Sequence, residues 1–243
     1  MEPTVSIIIP AWRDGANVRR ALEELERIDA LAEIIIVDVA GEPELECPAG
    51  ENRLKLLHCA TPSRGGQMNL GAAAASSEVL VFQHADTEFR REHFRALENA
   101  MRDTSIVGGA FYRKFDERHP NLVWLEGFAR FLTRSGGTLF GDQTVFVRRK
   151  IFQRLGGFAQ IPLMEDVEFS RRLRAAGPVT ILDPPVRTSA RKHINRAWRT
   201  TIQNALFLLL FKLGVAPQRL HAWYYATSAP PQLEPAPAVQ PKQ

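Results

Sequence analysis

The sequence predicts an α/β fold, in which a mostly parallel sheet is flanked by helices and followed by a C-terminal helical segment. Short apolar strand candidates alternate with helical patterns, as they do in βαβ units. Several of these strands end in polar or turn-forming residues, at the edge where open α/β sheets bind ligands. With 243 residues and 45% hydrophobic content, the chain can bury one substantial core. We therefore expect a single domain over residues 1–226.

The first 85 residues carry the clearest pattern. Strands are expected at four continuous apolar runs, which are typical of a sheet buried on both faces: Val5–Ile9, Ile34–Val37, Leu54–His58 and Val79–Phe82. Helices are expected at Val18–Ile28 and Gln67–Ala75. Parallel strands joined by helices require right-handed crossovers.

Beyond residue 100 the alternation loosens, and the pattern indicates mixed structure. Apolar spacing and turn residues predict two further strands and two helices, in the order Ile106–Tyr112, Leu122–Leu132, Thr144–Val147 and Met164–Ala176, with the second and fourth helical. Gly177 and Pro178 end the last helix. From Thr227 the chain is rich in Pro, Ala and Gln, so residues 227–243 are expected to be a disordered tail.

Asp86 is the first candidate for function. The apolar run Val79–Phe82 continues into Gln83-His84-Ala85-Asp86-Thr87, so a buried strand delivers one carboxylate to its carboxyl end. A carboxylate at that edge can hold a divalent cation and, through the cation, a phosphate. His84 could be a metal ligand, as could His193, although a lone histidine is more often structural.

Three further segments offer groups that suit a nucleotide. Pro62–Asn69 opens a helix with Arg64 and two glycines, and helix N-termini and guanidinium groups both attract phosphate. The Walker pattern is absent, and an ordinary glycine-containing loop is the alternative. Asp38 ends the second strand, where it either accepts hydrogen bonds from a nucleoside or forms a turn. Asp14 is either a helix cap or a nucleoside contact.

Two polar segments of the second half are candidates for catalysis and for acceptor binding. Glu165 and Asp166 stand at the start of a helix, where a carboxylate is either a favourable dipole partner or a catalytic base. Gly141-Asp142-Gln143 interrupts two apolar segments, as a simple turn or as a contact with an acceptor.

The basic residues are unevenly distributed. The formal net charge is +4 and the isoelectric point about 9.3, which suits anionic small molecules or an anionic membrane surface as well as nucleic acid. A basic cluster precedes the apolar segment Ala205–Val215, which is too short to cross a bilayer: Arg187, Arg191, Lys192, Arg196 and Arg199. The segment is either membrane-interfacial or a core helix or oligomer contact.

The cysteines and the N-terminus bear on the compartment. Cys47 and Cys59 show no metal-binding spacing, which argues against a disulfide framework and a zinc site. The first residues lack the basic region and cleavage site of a signal peptide. A cytoplasmic protein, acting at the inner face of the membrane, is expected.

Taken together, the motifs resemble the family 2 glycosyltransferases of the GT-A fold over about residues 4–190. Ile7–Ala11 is similar to their first strand, Val37-Asp38 to the aspartate of the second strand, and His84-Ala85-Asp86 to the DxD position. Met164-Glu165-Asp166 looks like their ED motif. The additional segments Arg64–Asn69 and Gly141–Gln143 look closest to a bacterial subgroup of small, single-domain members.

The resemblance implies a hexosyltransferase that uses a UDP- or GDP-sugar donor, Mg²⁺ or Mn²⁺, and an inverting displacement. Asp166 would be the base, with Glu165 beside it, and Asp86 would hold the metal. The nucleotide would be surrounded by Pro10, Ala11, Asp14, Asp38, Arg64, Gly65 and Asn69. The acceptor, a lipid or a small molecule and not a nucleic acid, would meet Gly141, Asp142 and Gln143.

Two positions depart from the family pattern. His84 stands where the first DxD aspartate is usual, so the metal has one carboxylate fewer. Arg13-Asp14 replaces the usual Asn-Glu after the first strand, which affects how the nucleoside is held. Two other functions remain open: a noncatalytic nucleotide-binding or scaffold protein, and a sugar-phosphate nucleotidyltransferase, whose early glycine-rich loop is missing here.

Overall fold

The computed structural model of the protein describes residues 2–39, 53–116, 136–188 and 197–227, together with Val123, Glu126, Gly127, Arg130, Phe131 and Thr133. The described part of the chain contains eight strands in one sheet: β1 (Val5–Ala11), β2 (Glu33–Asp38), β3 (Leu54–His58), β4 (Val79–Phe82), β5 (Thr87–Glu88), β6 (Gly108–Phe115), β7 (Val145–Arg148) and β8 (Val179–Thr188).

Helices connect the strands and extend the chain beyond the sheet. They are α1 (Gly15–Leu25), α2 (Arg64–Ala74), α3 (Arg91–Met101), α4 (Arg149–Arg154), α5 (Glu165–Ala176), α6 (Ala197–Lys212) and α7 (Pro217–Thr227). A 3-10 turn, Gly141–Gln143, leads into β7. No helix among the described residues is long and apolar enough to cross a membrane.

The strand order is β3-β2-β1-β4-β7-β6-β8-β5. The first four strands in this order are parallel to one another, and β6 is parallel to β8. β7 is antiparallel to both of its neighbours, and β5 is antiparallel to β8. The predicted α/β class, a mostly parallel sheet flanked by helices, is thereby confirmed. Because β7 runs in reverse, the chain enters β7 at the same edge of the sheet where β4 ends.

Side chains from alternate strand positions fill a core on each face of the sheet. On one face Ile7, Ile9 and Ile34 pack with α1 and α3. On the other face Ile8 and Val37 pack with α2 and α5. Gly71 lets α2 lie directly on the sheet, since a Cβ there would lie 2.5 Å from Ile8 Cγ2.

The middle of the sheet has a second close approach. A Cβ on Gly109 of β6 would lie 2.1 Å from the carbonyl oxygen of Thr180 in β8 and 2.5 Å from the Phe146 ring of β7. A Cβ on Gly108 would lie 2.5 Å from the carbonyl oxygen of Phe146. The neighbouring strands therefore leave no room for a side chain at either position.

The predicted elements compare closely with those observed up to residue 85, where the predicted bounds of β3 and β4 are reproduced. The short β5 and α4, together with α3 and β8, were not predicted. The apolar residues Phe94, Leu97 and Met101 of α3 have helical spacing and are buried, so the signal was present. β8 contains Pro184 and Pro185, and proline argues against a strand.

Two predicted segments lie wholly or partly outside the described residues. The helix expected at Leu122–Leu132 is described only at separate positions, and those are helical. The tail expected to be disordered is described only at Thr227, the last residue of α7. The expected helical segment near the C-terminus corresponds to α6 and α7.

Candidate active site

The carboxyl ends of β1 and β2 form the first wall of the site. Ala11 is paired with Asp38, and Asp38 is fully buried. The amide of Gln67, buried in α2, donates hydrogen bonds from Nε2 to the carbonyl oxygens of Ala11 (2.7 Å) and Val37 (2.8 Å). Gln67 thereby fixes α2 across the ends of both strands. Sequence reasoning missed it, because nothing in the local pattern distinguishes it from a surface glutamine.

The segment after β1 places two of the other nucleoside candidates. Pro10 and Ala11 are the last residues of the strand. Arg13 has a left-handed backbone (φ 54°). Asp14 occupies the N-cap position of α1, where its side chain does not cap a backbone N–H, and its Oδ1 accepts a hydrogen bond from the side-chain Nδ2 of Asn17 at 2.6 Å.

The start of α2 brings a cation to the site. Ser63 caps the helix through its Oγ, which accepts from the Gly66 N–H. A Cβ on Gly65 would lie 2.9 Å from the Ala159 oxygen and 3.6 Å from Glu165 Cβ, so α2 packs tightly on the segment before α5. The half-exposed guanidinium of Arg64 lies 3.6 Å from the Glu165 carboxylate.

Both ends of the Asn69 amide bond the backbone of one residue. Nδ2 donates to the Phe158 oxygen and Oδ1 accepts from the Phe158 N–H, each at 2.8 Å. From the other side, Arg172 of α5 donates to the Gly157 oxygen at 2.8 Å. Gly157 is left-handed (φ 71°), and a Cβ there would lie 2.5 Å from Asn69 Oδ1. The loop before α5 is therefore held by α2 and α5 together.

Asp166 lies at the start of α5 with both carboxylate oxygens engaged. Oδ2 accepts a hydrogen bond from the Gly141 N–H at 2.8 Å, and Oδ1 accepts from the Val167 N–H at 2.7 Å. Burial raises the pKa of Asp166 above its usual value, although these N–H groups and Arg64 oppose the shift. Burial also raises the pKa of Glu165, and the neighbouring Asp166 charge adds to that shift. A carboxylate of raised pKa suits proton abstraction near neutral pH.

Gly141 is the point at which the separate segments meet. A Cβ on Gly141 would lie 2.9 Å from His84 Nε2 and 3.5 Å from Asp166 Oδ2. These groups line a cleft together with Arg64, and its floor is aromatic. Phe158 packs there on Phe82 and Phe169 with ring centroids 4.8 and 4.5 Å apart. The structure thus brings together predicted site residues from four distant parts of the chain.

The other two residues of the 3-10 turn bond within the protein. Asp142 forms an ion pair with Arg113 of β6. Gln143 accepts from the Phe140 N–H at 2.9 Å and donates to Thr133 Oγ1 at 3.1 Å. Of the predicted acceptor residues, Gly141 lines the cleft beside Asp166, whereas Gln143 lines a second cleft. Arg113 was not predicted, because its partner is 29 residues away.

Asp86 is the residue that the sequence predicts as the metal ligand. It lies in a turn between β4 and β5, which the Thr87 N–H closes on the His84 oxygen at 3.1 Å. No group of three His, Cys, Asp or Glu side chains that could hold a metal was found in the part of the chain that the structure describes. Mg²⁺ commonly binds one or two carboxylates plus substrate phosphates, so Asp86 fits an ion shared with a diphosphate. His84 Nε2 is buried beside Gly141, and His193 lies outside the described residues.

The sequence model of glycosyl transferase family 2 matches residues 6–156. This range covers more than half of the chain and includes Asp38, Arg64, Asp86 and Gly141. The chain belongs to glycosyl transferase family 2. The expected family is therefore confirmed, although the matched range ends before Asp166. A comparison with curated proteins found no match.

Solved structures of glycosyltransferases share the fold of this family 2 chain. The mannosyltransferase PcManGT from Pyrobaculum calidifontis, in complex with GDP-Man and Mn²⁺, is 19% identical, with a TM-score of 0.63 over 94% of this chain and 71% of that one. S. aureus TarS 1-349 with UDP-GlcNAc is 16% identical, with a TM-score of 0.63 over 85% and 66%.

A third structure shows the same fold at lower coverage. GalNAc-T7 with UDP, GalNAc and Mn²⁺ is 14% identical, with a TM-score of 0.61 over 77% of this chain and 44% of that one. This family 2 chain thus spans less than half of GalNAc-T7. At these identities the likeness establishes the GT-A fold, and the individual site residues remain predictions.

The bonds of Asn69 lead to a prediction about stability in this glycosyltransferase. In Asn69→Asp, the Phe158 oxygen loses its donor and faces a carboxylate oxygen. We expect the free energy of unfolding to fall by about 2 kcal/mol, the cost of leaving a buried polar group unsatisfied. Urea denaturation followed by circular dichroism measures it. Asn99→Asp, at an exposed position of α3, is the matched control, and equal midpoints for the two variants would contradict the expected role.

Proposed function

We propose that the protein transfers a hexosyl group from a nucleoside diphosphate sugar to an acceptor hydroxyl, with inversion at the anomeric carbon and Asp166 as general base. The observation that carries this proposal is the position of Asp166 in the cleft. Its carboxylate is desolvated, oriented by the Gly141 N–H, and placed near the Arg64 guanidinium. A base and a phosphate-binding cation that line the same cleft suit glycosyl transfer from a phosphorylated donor.

The donor is proposed to lie along the carboxyl edge of β1, β2 and β4. The nucleoside would contact Pro10, Ala11, Asp14 and the buried Asp38. The diphosphate would lie at the start of α2, where Arg64 and the N–H groups near Gly65 attract negative charge. Asn69 was expected to touch the nucleotide. Because both ends of its amide bond Phe158, we propose that it acts by holding that loop.

The chain's own groups would carry out the displacement. Asp166 would take the proton from the acceptor hydroxyl as its oxygen bonds to the anomeric carbon. The bond from that carbon to the diphosphate oxygen would break on the opposite face, and this geometry gives inversion. Glu165 would orient Arg64, and the aromatic floor at Phe158 and Phe169 would exclude water. A Mg²⁺ or Mn²⁺ ion held by Asp86 would neutralise charge developing on the leaving diphosphate.

The donor and acceptor classes are also proposals. Since the neighbouring structures are complexes with GDP-Man, UDP-GlcNAc and UDP, we propose a UDP- or GDP-sugar donor. The acceptor is proposed to be a lipid or small molecule, approaching from the Gly141–Gln143 turn, with transfer taking place at the inner membrane face. The cytoplasmic location remains a prediction. The family match does not support a sugar-phosphate nucleotidyltransferase.

Donor binding is the first test. Thermal unfolding of the protein would be followed with a panel of UDP-, GDP- and dTDP-sugars, with Mg²⁺ or Mn²⁺ and with chelator. One donor class should raise the midpoint in a metal-dependent manner, since a ligand at 100 times its dissociation constant stabilises the folded state by about 2.7 kcal/mol. The shift should disappear in Asp86→Ala.

Asp29→Ala is the matched control, because Asp29 is highly exposed and its ion pair with Arg91 lies at the surface. It should retain the full shift. If no donor shifts the wild-type midpoint, the proposed donor site is wrong and a noncatalytic scaffold becomes the better explanation.

A further inference from the structure

Helices α6 and α7 form a C-terminal helical hairpin with one inward face. Phe207 of α6 packs on Tyr224 of α7 with ring centroids 6.0 Å apart. Phe207 and Leu220 are buried. The two helices therefore contact each other through a small core of their own.

The outer face of the hairpin is apolar. Leu206, Leu209 and Leu213 are 50%, 53% and 72% exposed, and Trp223 is 49% exposed. The spacing of the leucines, three and then four residues, places them on one side of the helical path. Large apolar side chains exposed on one side of a helix commonly mark an interaction site.

The charge along this part of the sequence has one sign. Residues 184–233 contain seven Arg and Lys residues and no Asp or Glu. That charge exceeds the +4 of the whole chain, so the rest of the protein is net negative. Lys212, at the end of α6, and Arg219, in the first turn of α7, are exposed. Basic residues beside an apolar helix face are typical of helices that lie in an anionic membrane interface.

We propose that the helical hairpin binds the surface of an anionic lipid bilayer. Leu206, Leu209, Leu213 and Trp223 enter the boundary between headgroups and acyl chains, while Lys212 and Arg219 contact lipid phosphates. The proposal rests on the proposed function, which includes transfer at the inner membrane face. It adds which element of the protein binds the membrane and which class of lipid that element binds. The test involves neither donor nor transfer, so the two can fail separately.

Length and charge favour this occupant over the alternatives. α6 has 16 residues, which gives about 24 Å of helix against the roughly 30 Å of a hydrocarbon core, so it lies along the surface. A second copy of the chain is the main competitor. A two-fold interface brings the same patch of both copies together, and here each copy would present basic residues with no acidic partner in the segment.

Vesicle flotation of the full chain tests the proposal, with vesicles of phosphatidylcholine alone or mixed with phosphatidylglycerol. Wild type should float with the mixed vesicles, float much less with phosphatidylcholine, and be released by high salt. In the double variant Leu209→Ser, Leu213→Ser, the partition coefficient should fall about tenfold or more because apolar burial is lost. Leu70→Ser, at an exposed leucine of α2, is the control and should float as wild type does.

Circular dichroism must show that the variants have the same unfolding midpoint as wild type. If the double variant is unfolded, Lys212→Glu with Arg219→Glu replaces it, and binding to mixed vesicles should again fall. The proposal is overturned if wild type does not float with mixed vesicles or if folded variants float equally well. It is also overturned if sedimentation shows a dimer that the leucine substitutions dissociate while flotation is unchanged.

Discussion

Replacing Asp166 with asparagine is expected to slow glycosyl transfer by about 100- to 10,000-fold, the range that a positioned general base contributes. Asparagine keeps the shape of the side chain and one oxygen, which can accept from the Gly141 N–H, while its NH2 group replaces the oxygen that accepts from the Val167 N–H. It cannot take the proton of the acceptor hydroxyl. Donor binding should therefore change little. The measurement is the release of nucleoside diphosphate with the donor found in the thermal screen, alongside the donor-induced midpoint shift.

Glu165→Gln is the comparator, because it removes the adjacent charge without removing the proposed base. Its effect on transfer should be smaller, because the proposed base Asp166 is still present. If Glu165→Gln abolished transfer and Asp166→Asn did not, the two roles would be exchanged. Equal activity of Asp166→Asn and wild type would contradict the proposed base.

The pH profile gives an independent check on Asp166. Its pKa is raised by burial, and a carboxyl group can act as a base only when deprotonated. Activity should therefore be lost as the pH falls through the raised pKa, at a higher pH than for an ordinary aspartate. This acidic limb should be absent from the residual activity of Asp166→Asn.

The second large effect is expected in the sheet. Gly109→Ala should lower the free energy of unfolding by about 3 kcal/mol, at the upper end of the usual cost of overpacking. The added methyl would lie 2.1 Å from the Thr180 carbonyl oxygen. That oxygen belongs to the backbone of β8, so relief requires moving a strand, whereas the Phe146 ring alone could rotate. Urea denaturation monitored by circular dichroism measures the loss.

Gly127→Ala is the matched control for this substitution. Gly127 is helical, and nothing lies within 4 Å of the position that its Cβ would take. Alanine is the better helix former, so this variant should be as stable as wild type or slightly more stable. If the two alanine variants had the same midpoint, the close approach of β6 to β8 would not limit stability.

The strands and helices could be predicted most accurately where the local sequence pattern determines the structure. The continuous apolar run Val79–Phe82 has no helical spacing and is short enough to be a strand, and it forms β4 with the predicted bounds. The parallel direction of the first strands follows from the helices between them. Parallel neighbours end at the same edge of a sheet, so the sequence predicts Asp38 and Asp86 at one edge.

Contacts across long sequence separations could not be predicted in this way. Gln67 bonds Ala11, 56 residues away, and Asn69 bonds Phe158, 89 residues away. Nothing in the nearby sequence identifies either partner, because a side-chain amide can bond the backbone of any segment that packs against its helix.

Three non-glycine residues with left-handed backbones stand beside segments of the candidate active site. Arg13 follows β1, Thr144 follows the 3-10 turn, and Met164 directly precedes Glu165. Each such conformation costs on the order of 1 kcal/mol or more in local free energy. The carboxyl edge should therefore open to hydrogen exchange at a lower free energy than the strands behind it. A bound donor would raise the free energy of opening at this edge towards that of the strands behind it. Amide protection at the edge would therefore report whether the donor site is occupied, even when no sugar is transferred.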